Sequence, residues 1–283
     1  MAISAADVKK LRDKTDAPMM DCKAALEEAD GDMAKAEQIL REKGKSAAAK
    51  KAGRATGEGI AKFVATDDGK SVAGVVVECE TDFVAKNDDF KTMVDKLARG
   101  FLAAGKAGND VVIDGKTAAD IIVDAVNIIR ENIQLRYSEV FTTTGTFGVY
   151  NHHTGKVAAM VELSGDSKNI KDIGEQLGIQ AVGLSATFLN KEDVPQDIIE
   201  KEIEIQTNRA IEEGKDPKMA ENIARGRVNK EFYQSQVLME QVFYADNKKN
   251  VTAYVNEEAK AGGGSVKVEK YVKIEVGQFG GDE

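Results

Sequence analysis

Apolar residues recur at helical spacing along the first 44 residues and predict three short helices. Ser4 followed by Asp7 is typical of a helix N-cap, and Pro18 is tolerated in the first turn of the second helix. Gly44 is predicted to end the third helix. The predicted apolar positions are Val8, Leu11, Met19, Cys22, Leu26, Ala29, Met33, Ala36 and Leu40. Residues 1–44 are therefore predicted to form a small helical bundle.

From Ile60 onward the spacing changes to the alternation that is typical of strands. The segment GIAKFVATDDGKSVAGVVVEC predicts an antiparallel hairpin that turns at residues 67–69, because Asp-Gly suits the positive φ of a tight turn. Asn87 or Asp88 is expected to cap the helix that follows. The apolar face of this helix consists of Phe90, Met93, Val94, Leu97 and Phe101.

One short pattern occurs twice, in residues 69–82 and 155–166. Each copy begins with Gly-Lys, continues with small and β-branched residues, and reaches Val and Glu before a helix. We interpret the pair as an internal repeat of two α+β halves, each an antiparallel hairpin backed by helices. The alternating segment SVKVEKYVKIEV near the C-terminus predicts an edge strand.

Residues 195–227 interrupt the second half with isoleucines separated by many charges. Because Gly214 and Pro217 break this run, the pattern predicts a helical hairpin that projects from the body. The fold class is therefore predicted to be α+β. The predicted organisation is a helical bundle at 1–44, a basic Ala- and Gly-rich linker at 45–59, core half 1 at 60–142, and core half 2 at 143–283 with the hairpin inserted.

The charge balance disfavours nucleic acid as the main partner. The formal net charge is −9, from 48 acidic and 39 basic residues, whereas binding to phosphate needs a clustered positive surface. Two interpretations of the basic residues around the linker stay open. They could contact RNA phosphate, or they could keep a solvated connector soluble. These residues are Lys43, Lys45, Lys50, Lys51 and Arg54.

The cysteine content and the apolar runs bear on the compartment. Cys22 and Cys79 cannot form a disulfide framework, so a reducing compartment fits best. The N-terminal segment lacks the apolar core of a signal peptide, and no run approaches the ~18 apolar residues of a membrane span. We expect a cytoplasmic protein without a membrane partner.

Catalytic and cofactor-binding patterns find little support in the sequence. The only histidines are His152 and His153, and neighbours on a strand would point to opposite faces. The Gly-rich stretches at 57–59 and 261–265 complete neither a dinucleotide-binding nor a P-loop pattern, and no nucleophile elbow is present. We therefore expect no catalytic residue, no cofactor, no metal and no bound nucleotide, which indicates a binding protein.

Thr81, Asp82, Phe83 and Val84 follow the run of β-branched residues directly, before any helix is expected to begin. An acid and a large aromatic residue are unusual where a polar loop should start. From the residues alone, Asp82 is a turn residue and Phe83 covers a small core of its own.

Two longer motifs favour a different interpretation. LRDKTDAPMMDCKAALEEADGDMAKAE and CETDFVAKNDDF resemble the two signatures of the bacterial elongation factor Ts family. The order of the remaining segments agrees, including RENIQLR and YNHHTGK, so the resemblance covers nearly all of the chain. It implies a guanine-nucleotide exchange factor for elongation factor Tu, with a bundle similar to a ubiquitin-associated domain and a coiled-coil projection.

The resemblance also implies roles for particular residues. In the family, Thr-Asp-Phe-Val enters the partner beside its magnesium site, and Thr81 to Val84 match that motif. Among partner contacts it implies His152. Met20 falls about a hundred degrees from the apolar face of the second helix, so we expect it to face a partner, together with Met19 and Lys23. Asp16 stands where the family commonly has Gly, which Asp can replace at a positive φ. The alternative is a passive interaction protein, either chaperone-like or an RNA-binding adaptor.

Overall fold

The computed structural model describes residues 3–15 and 17–279, and it confirms the α+β class. The expectation for Asp16 lies outside the described residues. The helices are α1 Ala5–Thr15, α2 Met19–Glu28, α3 Met33–Lys51, α4 Asp82–Lys86, α5 Asp88–Ala104, α6 Ala118–Ile129, α7 Ile170–Leu184, α8 Gln196–Glu212, α9 Pro217–Arg227, α10 Tyr233–Gln236 and α11 Val251–Ala261. The strands are β1 Glu58–Ala65, β2 Ser71–Cys79, β3 Val112–Ile113, β4 Lys116–Thr117, β5 Gln134–Thr142, β6 Thr146–Asn151, β7 Val157–Gly165, β8 Val242–Phe243, β9 Asp246–Asn250 and β10 Val266–Glu275.

The first three helices form the predicted bundle. Ser4 Oγ accepts a hydrogen bond from the Asp7 N–H at 3.1 Å, and an Asp32 carboxylate oxygen accepts one from the Lys35 N–H at 3.0 Å. The bundle core consists of Val8, Leu11, Cys22, Ala25, Leu26, Ala29 and Ala36. The assignment of Met19 to this core is wrong, because its side chain is 51% exposed. Helical side chains lean towards the N-terminus, and the first residue of α2 has no preceding turn to cover.

The prediction that Gly44 ends the third helix is also wrong, because α3 continues to Lys51. Gly44 is buried where α3 packs against α6. A Cβ atom at this position would overlap the amide of Asn127 and lie 3.4 Å from a methyl group of Val123. Glycine is therefore needed for the close approach of two helices, and part of the predicted linker is helical.

The basic residues of this segment are largely paired within the chain. Lys45 lies 3.5 Å from Asp120 of α6, and Arg54 lies 3.3 Å from Glu80 at the end of β2. Lys43 pairs with a glutamate of α2. Three of the five basic residues are therefore committed to intramolecular ion pairs, which disfavours the interpretation as an RNA-binding patch.

Gly44→Leu is expected to detach the bundle from α6 without unfolding it. Leucine favours helix, so α3 itself should persist, but its side chain cannot fit against Asn127, and such overpacking costs about 1–3 kcal/mol. Amide hydrogen exchange should accelerate in α6, and small-angle scattering should show a larger radius of gyration. Gly53→Leu is the control, since a side chain at Gly53 meets open space. Unchanged exchange in α6 for Gly44→Leu would contradict this account of the contact.

The two predicted core halves share one topology. One sheet has the order β1-β2-β5 and the other β6-β7-β10, all antiparallel, and the repeated sequence segments form the central strands β2 and β7. In each half a small two-stranded hairpin, β3-β4 or β8-β9, directly precedes the last helix and the third strand. The hairpin turn at residues 67–69 is confirmed, with Gly69 at φ +70°. The edge position of β10 is confirmed as well.

The β-branched run of β2 is buried on both faces. Val72 and Val76 pack towards the second sheet, against residues such as Met160, while Val75 and Val77 pack on α5 and α6. The successive layers are helices, sheet, sheet and helices, because side chains alternate along a strand. The amide of Asn151 on β6 joins the two halves by hydrogen bonds of 2.8 and 2.9 Å to the backbone of Phe63 on β1.

The predicted helical hairpin is confirmed as α8 and α9. The turn contains Gly214 at φ +81°, and Asp216 caps α9 through a 2.9 Å hydrogen bond from the Lys218 N–H. The buried residues of the two helices are Ala210, Ala220 and Ala224. Small residues let the helices approach closely, so the hairpin packs chiefly on itself. The boundaries between the bundle, linker and core halves remain our interpretation.

Candidate functional site

The Thr-Asp-Phe-Val stretch lies at the end of β2, on the one-turn helix α4. The expectation that these residues precede any helix is wrong, because Asp82 begins α4. Thr81 is its N-cap, and its Oγ1 accepts a hydrogen bond from the Val84 N–H at 3.4 Å. An acid in the first turn also favours a helix at this point. Asn87 then caps α5 with hydrogen bonds from the N–H groups of Asp89 and Phe90, as the sequence predicted.

Phe83 is the most exposed large apolar side chain among residues 3–15 and 17–279, at 82%. Its neighbours Val84 and Ala85 pack against the core of the first half. The single turn of α4 therefore attaches to the core on one side and presents an aromatic ring to solvent on the other. The interpretation of Phe83 as a cover on its own core is wrong.

Asp82 directly precedes Phe83 and is partly buried, with 45% of its side chain exposed. Its carboxylate accepts a hydrogen bond from Lys86 Nζ at 2.6 Å, one helical turn away. The hydrogen bond and charge of Lys86 lower the pKa of Asp82 below its ordinary value, so the group is anionic at neutral pH. The site thus presents an apolar ring and a negative charge from adjacent positions.

The backbone before α4 is held by groups that sequence reasoning did not identify. The Glu131 carboxylate accepts hydrogen bonds from the Glu80 and Thr81 N–H groups, each at 3.1 Å, and from Thr81 Oγ1 at 2.6 Å. The Cys79 thiol donates to the Thr81 carbonyl oxygen at 3.2 Å. Burial, together with the nearby charge of Glu131, raises the pKa of Cys79 to about 12, so the thiol is protonated at neutral pH.

Further down β2, Glu78 is completely buried. One carboxylate oxygen accepts hydrogen bonds from Thr56 Oγ1 at 2.7 Å and Arg136 Nε at 3.0 Å, and the other accepts one from the Gly277 N–H at 2.9 Å. This carboxylate therefore joins the segment before β1, strand β5 and the end of β10. These hydrogen bonds hold together the three segments that lie beneath the exposed turn.

His152 and His153 lie in the turn between β6 and β7, not on a strand. The prediction that they point to opposite faces is therefore wrong: their ring centroids are 4.1 Å apart. His152 Nδ1 and Thr154 Oγ1 are 2.8 Å apart, and the Gly155 carbonyl oxygen accepts a hydrogen bond from the N–H of Ala61 on β1. The structure thus places the turn that carries His152 beside β1, on a different element from α4.

Met20 and Lys23 lie on the exposed side of α2. Met20 is 71% exposed, and Lys23 Nζ lies 3.8 Å from a carboxylate oxygen of Glu27. Between them, Asp21 forms an ion pair with Arg130 of the core. Because Arg130 directly precedes Glu131, a chain of contacts leads from α2 to the turn that carries Phe83.

Two classes of site are not found in the described part of the chain. Across residues 3–15 and 17–279, no group of three or more His, Cys, Asp or Glu side chains is arranged to hold a metal ion. Within the same residues, no helix has both the length and the apolar character needed to cross a membrane.

The fold and site together define an α+β protein that presents an exposed aromatic side chain on a short helix. The family model described as Elongation factor TS matches residues 80–278. Elongation factor Ts of Clostridium botulinum (strain Alaska E43 / Type E3) is 38% identical over 284 residues, which cover 98% of this chain and 93% of that protein. Elongation factor Ts of Aquifex aeolicus (strain VF5) is 34% identical over 291 residues, with coverage of 98% and 99%. The chain belongs to the elongation factor Ts family, which supports a role in translation elongation.

Proposed function

We propose that the protein is a guanine-nucleotide exchange factor for elongation factor Tu, with Phe83 and Asp82 acting at the magnesium site of the partner. The observation that carries the proposal is the 82% exposure of Phe83 on a helix that the core holds in place. An unpartnered aromatic ring on a rigid support favours insertion into another protein. The family identity and the match of Thr81 to Val84 to its second signature support this assignment.

The proposed mechanism acts on the metal. A GTPase of the P-loop class holds GDP through backbone donors, a lysine and a magnesium ion. Magnesium requires near-ideal octahedral geometry, so a displacement of about one ångström in its surroundings weakens binding. Phe83 supplies the displacement as a wedge, and the anionic Asp82 competes for polar groups nearby. Loss of magnesium then speeds the release of GDP.

Thermodynamic linkage requires a docking surface beyond the wedge. A factor that weakens GDP binding by some ratio is itself bound more weakly, by the same ratio, when GDP is present. We propose that the exposed side of α2, with Met19, Met20 and Lys23, provides part of this surface. We further propose that His152, in the β6–β7 turn, is a partner contact.

We infer that the chain has no catalytic turnover and binds no nucleotide of its own. The alternative is a passive interaction protein, such as a chaperone-like holdase or an RNA-binding adaptor. Ion pairing of Lys43, Lys45 and Arg54 within the chain weakens the RNA-binding version.

Release of a fluorescent GDP analogue from elongation factor Tu separates these functions. An exchange factor accelerates release in proportion to its concentration until the partner is saturated, whereas a holdase or adaptor leaves the rate unchanged. The same measurement with magnesium chelated tests the mechanism, because chelation performs the proposed step without the factor. The acceleration should therefore be much smaller under chelation. An equal acceleration in both conditions would contradict action through magnesium.

Met20→Ala is expected to weaken the complex with elongation factor Tu by at least about fivefold, or ~1 kcal/mol, as for an ordinary interface anchor. The free energy of unfolding should change by less than about 1 kcal/mol, because the side chain is exposed. Titration calorimetry and thermal unfolding measure the two quantities. Met219→Ala is the matched control, since Met219 of α9 is 59% exposed. Unchanged binding of elongation factor Tu by Met20→Ala would contradict the proposed contact.

A further inference from the structure

We propose that Glu131 is a positioning residue for Phe83: its carboxylate holds the turn that aims the ring at the partner. The inference rests on the proposed function and assigns a role to a residue outside the Thr-Asp-Phe-Val motif. Glu131 lies on a different segment, between α6 and β5, 50 residues from Thr81 along the chain.

The carboxylate acts where the regular pairing of β2 with β5 stops. The last paired residues are Glu78 and Gln134. Beyond them, the Glu80 and Thr81 N–H groups donate to Glu131 Oε2, each at 3.1 Å. Glu131 Oε1 accepts the Thr81 hydroxyl at 2.6 Å. One side chain therefore replaces the strand ladder for two residues and fixes the direction in which the backbone enters α4.

The bond to the hydroxyl also fixes the start of α4. Thr81 Oγ1 donates a hydrogen bond to Glu131 and accepts one from the Val84 N–H, so one rotamer of Thr81 makes both hydrogen bonds. Loss of Glu131 would free the hydroxyl to rotate and weaken the cap. Phe83 is the second residue of this helix, and its ring has little packing of its own. The direction of the ring is therefore set by the backbone of the turn.

Glu131 is itself held firmly from both sides. Arg130, which ends α6 with φ +71°, forms the ion pair with Asp21 of the bundle. On the other side, the Asn132 N–H donates to Glu80 Oε1 at 2.6 Å, and its side-chain amide donates to the Arg54 carbonyl oxygen at 2.7 Å. The carboxylates of Glu80 and Glu131 thus bond reciprocally to each other's chain segment. Because its own segment is held in this way, the Glu131 carboxylate can fix the position of the Thr81 turn.

The expected consequence is on exchange rather than on folding. A turn without Glu131 would sample more conformations. The loss of conformational entropy on ordering it would then raise the free energy of the step in which Phe83 inserts. Glu131→Ala is expected to slow GDP release at saturating factor roughly tenfold, since small misplacements of an acting group reduce rates strongly. Glu131→Gln, which keeps one acceptor oxygen, should lose less. The affinity for nucleotide-free elongation factor Tu should change less than the rate.

A double-mutant cycle with Phe83→Ala tests the inference. If Glu131 acts only through Phe83, then Glu131→Ala should change the rate by less than about twofold when Phe83 is already alanine. Amide hydrogen exchange provides a second readout without the partner. The Glu80 and Thr81 amides should lose protection in Glu131→Ala and keep most of it in Glu131→Gln.

Glu162→Ala is the matched control. Glu162, in the other half, accepts a hydrogen bond from the Thr143 hydroxyl at the same distance of 2.6 Å. Glu162→Ala should leave unchanged both the rate of GDP release and the protection of the Glu80 amide from hydrogen exchange. Equal slowing by Glu131→Ala in both backgrounds, or unchanged amide protection, would overturn the positioning role alone. A normal rate for Phe83→Ala would overturn the proposed function, and the positioning role with it.

Discussion

Phe83→Ala is expected to slow catalysed release of GDP from elongation factor Tu by about 30-fold. This corresponds to about 2 kcal/mol, the level that defines an interface hot spot. The free energy of unfolding should stay within about 0.5 kcal/mol of the parent chain, because an 82% exposed ring contributes little packing. A wedge that acts mainly in the ternary complex affects the rate of exchange more than the affinity for nucleotide-free partner.

Stopped-flow release of a fluorescent GDP analogue, with and without a magnesium chelator, measures the effect. Chelation should reduce the difference between Phe83→Ala and the parent chain, since the step that Phe83 promotes has then already occurred. Val112→Ala is the control: Val112 is 62% exposed on the small β3-β4 hairpin, and its loss should leave release unchanged. A normal rate for Phe83→Ala with magnesium present would return Phe83 to the class of ordinary surface residues.

The core fold follows from local patterns that tertiary contacts reinforce. Strand alternation predicts the hairpin that turns at Gly69, and helical spacing predicts α5 with Phe90 and Leu97 on its buried face. The repeat predicts two halves, because the same pattern of side chains favours the same packing. Gly44 shows where local reasoning fails. Glycine indicates a helix end in isolation, but here its missing side chain serves a contact with α6, a helix more than 70 residues away.

The site was predictable in part. The sequence identifies Asp82 and Phe83 as unusual, and the resemblance assigns them a role, but neither gives the exposure of the ring. The side chain of a phenylalanine after a buried strand can be either buried or exposed to solvent. The packing of Val84 on the core is what leaves the Phe83 ring exposed. Glu131 could not be found from a single sequence. Its contact with Thr81 depends on the pairing of β2 with β5, which no local pattern specifies.

Arg136→Met is expected to destabilise the core by about 3–5 kcal/mol, the usual cost of removing one partner of a buried ion pair. The Glu78 side chain is fully buried, and that of Arg136 is only 21% exposed. The substitution would leave the carboxylate buried with the Thr56 hydroxyl and the Gly277 N–H but without its cation. Urea unfolding followed by circular dichroism measures the loss. Arg99→Met is the control, because Arg99 pairs with Asp95 at 2.7 Å on the surface, where such pairs contribute less than about 1 kcal/mol.

Combining Arg136→Met with Glu78→Gln should recover most of the lost stability. The amide of a glutamine can accept the Gly277 N–H and donate to Thr56 Oγ1, so the site would hold no buried charge and few unpaired polar groups. The double variant should also keep the protection of the Thr81 amide, because Glu131 still holds the turn above. If Arg136→Met alone lowers the free energy of unfolding no more than Arg99→Met does, the ion pair between Arg136 and Glu78 does not stabilise the structure beneath the site. The rigidity of the Phe83 turn would then depend on Glu131 and the packing of Val84 alone.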